Sequence, residues 1–71
     1  MLAQMTSIQV NGIARTIPDG WTLQQLQDDL GLADQPVVME LNRQAIPPKQ
    51  FGEVLIPAQA EIEVIVLAAG G

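Results

Sequence analysis

Residues 21–32 read WTLQQLQDDLGL, and this stretch decides the fold because it holds a complete helix with both ends marked. Thr22 precedes the apolar-periodic residues and Gln25 follows three positions on. In that arrangement the two side chains reciprocally satisfy backbone N–H groups that a helix start leaves without partners. Trp21 before the cap and Leu26 in the first turns form a hydrophobic staple. Leu23, Leu26 and Leu30 recur at helical spacing, so one face is to be buried. Gly31 stops the helix in the left-handed conformation, and Leu32 folds back onto Leu26. Asp28 and Asp29 sit at the end where the helix dipole disfavours anions. They read either as a solvated surface or as a contact for a basic partner.

Working outward, residues 6–17 (TSIQVNGIARTI) predict a hairpin turning at Asn11-Gly12, with Ile8 and Val10 alternating against Ser7 and Gln9. A strict two-residue turn would put Arg15 on the same face as Ile13 and Ile17. A type I turn with a Gly12 bulge, which shifts the second strand, is therefore expected. On the other side of the helix, PVVMEL (36–41) alternates Val37, Met39 and Leu41 against Val38 and Glu40, a third strand. Asn42-Arg43 supplies a turn and Ala45-Ile46 a short fourth strand, which Pro47-Pro48 ends. In KQFGEVLI, Phe51, Val54 and Leu55 are read as one helical turn covering the open end of the core. EIEVIVL (61–67) is the last strand, with Ile62, Val64 and Val66 on the core face and Glu61, Glu63, Ile65 and Leu67 on the other. Pairing this strand beside the first buries its Ile/Val face. The order predicts an α+β fold, a mixed sheet of four to five strands packed on one helix.

Seventy-one residues make one small domain, with 48% hydrophobic and 15% charged residues. A chain of this length buries only about 60% of its unfolded surface. Cysteine and histidine are both absent, which excludes disulfides, thiolate nucleophiles, imidazole bases and zinc-finger ligand sets. The net charge of −5 includes only Arg15, Arg43 and Lys49 as cations. That is no footprint for nucleic acid, and it steers the domain towards basic protein surfaces or serves solubility. No run approaches the ~20 apolar residues of a membrane span, and MLAQMTSIQV lacks the basic n-region of a signal peptide. A cytoplasmic protein is expected, with no membrane partner, no bound metal and no cofactor of its own.

Several stretches, in order, resemble the ThiS family of bacterial sulfur carriers, which have the ubiquitin-like β-grasp fold. IQVNG (8–12) is similar to the family's first strand and turn, and WTLQQLQDDLGL to its capped helix. ELNRQAIPPKQF (40–51) resembles an L-N-x-x-x-x-P-x-x-x-aromatic segment, with Leu41, Asn42, Pro47 and Phe51 in place. AAGG (68–71) matches the glycine terminus. There are two departures: Phe51 stands where tryptophan is common, and Pro57-Ala58-Gln59-Ala60 replaces a Gly-Asp turn. The related MoaD carriers of molybdopterin synthesis usually have a Phe-Pro-Pro-like segment before the tail. Ile65-Val66-Leu67-Ala68-Ala69 has no proline, which favours ThiS.

The resemblance implies a β-grasp domain over 1–67 and a flexible tail over 68–71. It also implies that the chain is a carrier rather than an enzyme, with no catalytic residue. An adenylating activating enzyme (ThiF-like) would use ATP to convert the Gly71 carboxylate to an acyl-adenylate. A sulfur donor protein would displace AMP to leave a thiocarboxylate, and a thiazole synthase (ThiG-like) would take the sulfur for thiamin biosynthesis. Glycine has no Cβ, so Gly70 and Gly71 suit a narrow channel, and Ala68 and Ala69 are nearly as small. Ile65 and Leu67 are candidates for partner binding, unless the last strand is packed on both faces. Trp21 reads as a staple, Met5 and Met39 as core or filler, and Lys49 as a loop residue. Glu61 and Glu63 form no acid–base pair without a pocket. The alternatives are a MoaD-like carrier, a ubiquitin-like modifier joined to lysines through Gly71, and a plain interaction domain.

Overall fold

The computed structural model describes residues 4–68. Helix α1 spans Leu23–Asp29 and begins as its sequence dictates. The Thr22 hydroxyl accepts from the Gln25 N–H at 3.2 Å, and the Gln25 side-chain oxygen accepts from the Thr22 N–H at 2.9 Å. At the other end Gly31 has φ +77°. Its N–H donates to the Asp28 carbonyl at 3.0 Å and that of Leu32 to the Gln27 carbonyl at 3.1 Å. This pair of bonds is the Schellman motif, which glycine completes without a Cβ penalty. Leu23 and Leu26 are fully buried, and Trp21, Leu30 and Leu32 pack partly buried against the same core.

The strands are β1 (Met5–Val10), β2 (Ile13–Pro18), β3 (Val37–Leu41), β4 (Gln44–Ile46) and β5 (Glu61–Val66), with a 3-10 turn at Pro48–Gln50. They form one mixed sheet in the order β2-β1-β5-β3-β4. Strand β5 therefore lies at its centre, parallel to β1 and antiparallel to β3. The helix covers one face. Ile8, Ile17, Met39, Ile62 and Phe51 are each no more than 1% exposed and fill the space between the layers with Leu23 and Leu26. A five-stranded sheet on one helix is the expected α+β, β-grasp arrangement.

Four local expectations are corrected. The hairpin has no bulge: Val10 pairs with Ile13 across Asn11 (φ +52°) and Gly12 (φ +81°). Positive φ at both positions is a type I′ turn, whose twist matches that of the flanking strands. Arg15 is thus on the helix-side face after all. It sits in the edge strand and reaches past the core to Asp29, Nη2 to Oδ2 at 2.8 Å. Asp28 accepts from Gln24 at 3.1 Å, so both acids have partners within the chain.

Beyond the 3-10 turn, Phe51 is buried and Val54 half-buried, but Leu55 is exposed and Ile56 enters the core instead. The turn continues to Val54, whose N–H donates to the Gln50 carbonyl at 3.1 Å, but not to Leu55, which bridges Thr22, and the Ile56 N–H donates to the Trp21 carbonyl at 2.9 Å. Met5, at the start of β1, is exposed, whereas Met39 is core. Val66 is also exposed, because β1 ends at Val10 opposite Ile62 and leaves the last part of β5 without that neighbour. The Pro57–Ala60 connection turns through Gln59 in the left-handed region (φ +60°), fixed by its N–H donating to the Ser7 carbonyl at 2.7 Å.

Candidate functional site

Strand β5 leads into the tail, and asparagines from two tight turns hold it along both edges. Past Val10, β1 no longer covers β5, and Val64 would present its N–H and C=O at an open edge. The Asn11 amide takes the missing strand's place. Its Oδ1 accepts from the Val64 N–H at 2.8 Å and its Nδ2 donates to the Val64 carbonyl at 3.2 Å. A primary amide can do this because it carries a donor and an acceptor side by side, as a peptide does. On the opposite edge, the Asn42 N–H donates to the Glu61 carbonyl at 2.8 Å, and its Oδ1 accepts from the Glu61 N–H at 2.9 Å. Asn42 (φ +49°) and Arg43 (φ +70°) make a second left-handed turn, a conformation asparagine tolerates better than most residues.

The far end of β5 is fixed too. The Leu67 N–H donates to the Pro36 carbonyl at 2.8 Å. The loop before Pro36 is tied down by Gln27, a buried helix residue whose Nε2 donates to the Leu32 and Gln35 carbonyls at 3.0 and 3.3 Å. Ala68 follows outside the strand and is exposed. Ala69, Gly70 and Gly71 lie outside the described residues.

Although β5 is central, the helix covers only one of its faces. Ile65 is 55% exposed, Leu67 46%, and Val38, directly across from Ile65 on β3, 38%. Packing on both faces is therefore not what the strand does, and the two sequence-predicted docking residues share an open apolar surface with Val38. Further from the tail on the same face lie Glu63, opposite Glu40, and Glu61. All three are exposed. An open groove of about 390 Å³ runs between α1 and the start of β3, with Leu67 among its lining residues. Its polar side chains are the amides of Gln24, Gln27 and Gln35. Among the described residues no cluster of acids is placed to hold a metal ion, and no helix is long and apolar enough to cross a membrane.

A family model described as the ThiS family matches residues 8–71, from the first strand to the terminal glycine. The chain belongs to the ThiS family. The crystal structure of thiamine biosynthesis protein ThiS from Geobacter metallireducens superposes with a TM-score of 0.77 at 21% identity, covering 93% of this chain and 100% of that one. At that identity the likeness is one of fold, and it establishes the ThiS β-grasp. Uncharacterized protein ycf40 of Porphyra purpurea is 28% identical over 71 residues, spanning all of both chains.

Within this ThiS domain, sequence reasoning found the turn asparagines but not their amide bonds to β5. Those bonds connect residues 53 and 19 positions apart, which no local pattern encodes. Val38 and Glu40 were legible as the off-core residues of β3, but only the register against β5 sets them beside Ile65 and Glu63. Gln27 gave no signal, since a glutamine in a helix reads as surface.

Proposed function

We propose that this chain is a sulfur carrier for thiazole formation in thiamin biosynthesis, acting through the carboxylate of Gly71. Membership of the ThiS family supports a carrier in thiamin-related biosynthesis. The observation that carries the reading is that the family match runs through Gly71, beyond a final strand anchored on both edges.

A carboxylate is a poor electrophile, because resonance and negative charge repel a sulfur nucleophile. An adenylating partner joins a Gly71 carboxylate oxygen to the AMP moiety of ATP, and pyrophosphate leaves. A sulfur donor protein then attacks the carbonyl carbon and AMP leaves. With a persulfide donor, a thiol reduces the resulting acyl disulfide to the thiocarboxylate. The thiocarboxylate is a soft nucleophile that a thiazole synthase consumes. Every reacting atom of this chain belongs to the backbone of Gly71, so the chain supplies the group and its partners the catalysis. Its own contribution is positional. The clasped strand and Leu67 bond set where the tail departs, and Ile65 and Leu67 present the apolar surface on which a partner docks.

Ala68, Ala69, Gly70 and Gly71 suit a narrow channel because they carry little or no side chain. Gly71→Val should fold as the wild type does, by circular dichroism, and fail to be modified in an ATP-dependent assay with the activating enzyme. An unaltered rate would refute the channel.

A further inference from the structure

The two asparagines that clasp β5 are followed by unlike residues. Asn11 (φ +52°) precedes Gly12 (φ +81°), and Asn42 (φ +49°) precedes Arg43 (φ +70°). Both pairs form two-residue hairpin turns, between Val10 and Ile13 and between Leu41 and Gln44, and both asparagines are exposed. Asparagine is a thermolabile residue, because its Cγ lies within reach of the next residue's backbone nitrogen. Attack by that nitrogen closes a five-membered ring, and a side chain on the attacking residue hinders the closure. At Gly12 the space is open: apart from its chain neighbours, no atom lies within 4 Å of where a Cβ would sit. At Arg43 a Cβ and a long side chain stand beside the nitrogen.

The two clasps also differ in which atom donates. Asn42 donates to the Glu61 carbonyl through its own backbone N–H, and its Oδ1 accepts from the Glu61 N–H. A carboxylate oxygen in place of that amide would accept equally well. Asn11 donates to the Val64 carbonyl through its side-chain Nδ2 at 3.2 Å, the atom that ring closure expels. Past Val10 the pairing with β1 has ended, so that edge of β5 depends on the Asn11 amide.

We infer that Asn11 is a self-modifying site, at which deamidation irreversibly releases the clasp at the base of the tail. The Gly12 nitrogen gives its proton to a base from solvent and bonds to Asn11 Cγ. The Cγ–Nδ2 bond breaks, and the amide nitrogen takes up a proton and leaves as ammonia. Water then opens the ring. Cleavage of the new Cγ–N bond leaves an aspartate, and cleavage of the original peptide C–N bond leaves an isoaspartate. One water is consumed, one ammonia is released and the chain gains a negative charge; nothing is oxidised or reduced. In the aspartate, an oxygen replaces Nδ2 and faces the Val64 carbonyl, acceptor against acceptor. In the isoaspartate, the turn gains a main-chain carbon and the free carboxylate sits one methylene closer to the backbone, too short to span to Val64. Closure requires Cγ to swing towards the Gly12 nitrogen, which the bonds of 2.8 and 3.2 Å to Val64 oppose. The reaction therefore proceeds from molecules in which the end of β5 has opened, and each event is permanent. The chemistry uses neither Gly71 nor ATP, so it is independent of the carrier reading.

The test incubates the full chain in warm, mildly alkaline buffer, either folded or unfolded in guanidinium chloride, and follows its tryptic peptides by mass spectrometry. Cleavage after Arg15 and Arg43 places Asn11 in residues 1–15 and Asn42 in residues 16–43. The first peptide should gain the mass of an amide-to-acid exchange, about tenfold more slowly in the folded chain, the factor that two partly wet hydrogen bonds supply. The second should stay unchanged over the same period. Asn11→Gly should abolish the gain in residues 1–15, which separates Asn11 from Gln4 and Gln9. The modified chain, isolated by anion exchange through its added charge, should exchange the Val64 N–H faster than the unmodified chain and melt about 4–8 °C lower. Equal rates in the folded and unfolded chain would show that the clasp gates nothing. A folded chain still unmodified when the unfolded chain has fully converted, Asn42 converting as fast as Asn11, or a modified chain with Val64 protection and melting unchanged would each overturn the proposal.

Discussion

Asn11→Gly separates the turn from the clasp. Asn11 has φ +52° and precedes Gly12 at φ +81°, a geometry that glycine adopts freely, so the type I′ hairpin survives the substitution. What is lost is the amide, with its bonds of 2.8 and 3.2 Å to Val64. Each such bond contributes about 1 kcal/mol net. Water can reach part of the vacated edge, so the two together come to about 1–1.5 kcal/mol. A domain of this length has a total stability of roughly 4–10 kcal/mol, so the loss is a substantial fraction. It corresponds to a fall in Tm of about 4–12 °C. Thermal unfolding by circular dichroism reads the global effect, and amide hydrogen exchange locates it. The Val64 N–H should lose more protection than Ile8 or Met39, because the end of β5 opens locally without unfolding the core. A variant melting within a degree of the wild type, with Val64 exchange unchanged, would show that the amide holds nothing and that the tail's base is fixed by β3 alone.

Two further substitutions probe the scaffold. Phe51 is 1% exposed at the end of the core, and Phe51→Ala should cost about 3–5 kcal/mol; in urea titrations the variant should be largely unfolded near neutral pH or have a midpoint less than about half that of the wild type. Thr22→Ala removes the hydroxyl half of the capping box and should cost about 1 kcal/mol. Its measured loss should be recovered in part by Thr22→Ser, which keeps the acceptor.

The helix was legible in full, because its caps and staple are local chemistry: Thr22 with Gln25 at one end and Gly31 with Leu32 at the other. The strands followed from alternation, and the placement of β5 beside β1 from the need to bury Ile62 and Val64. Reading failed where tertiary contact decides between local options. Arg15 looked misplaced on a core-facing strand position until the helix end supplied Asp29 as a partner. Leu55 and Ile56 are chemically alike neighbours, and only the bridge to Thr22 determines which one turns inward. Val66 continues the core pattern of Ile62 and Val64, but the sheet runs out of neighbours before reaching it. For the site, Ile65 and Leu67 were visible by alternation and the tail by composition. Val38 and the opposed Glu40–Glu63 pair needed the strand register.

The carrier reading turns on the chemistry of one atom, the carbonyl carbon of Gly71. Trypsin cleaves after Lys49 and releases Gln50–Gly71, a peptide without methionine or tryptophan, so side-chain oxidation does not imitate the nearly equal mass gained when sulfur replaces oxygen. Mass spectrometry of this peptide, after incubation with ATP, the adenylating enzyme and a persulfide donor, should show that gain localised to Gly71, dependent on ATP and absent in Gly71→Val. A peptide whose mass stays unchanged, or one found branched through Gly71 onto a lysine, would contradict the account.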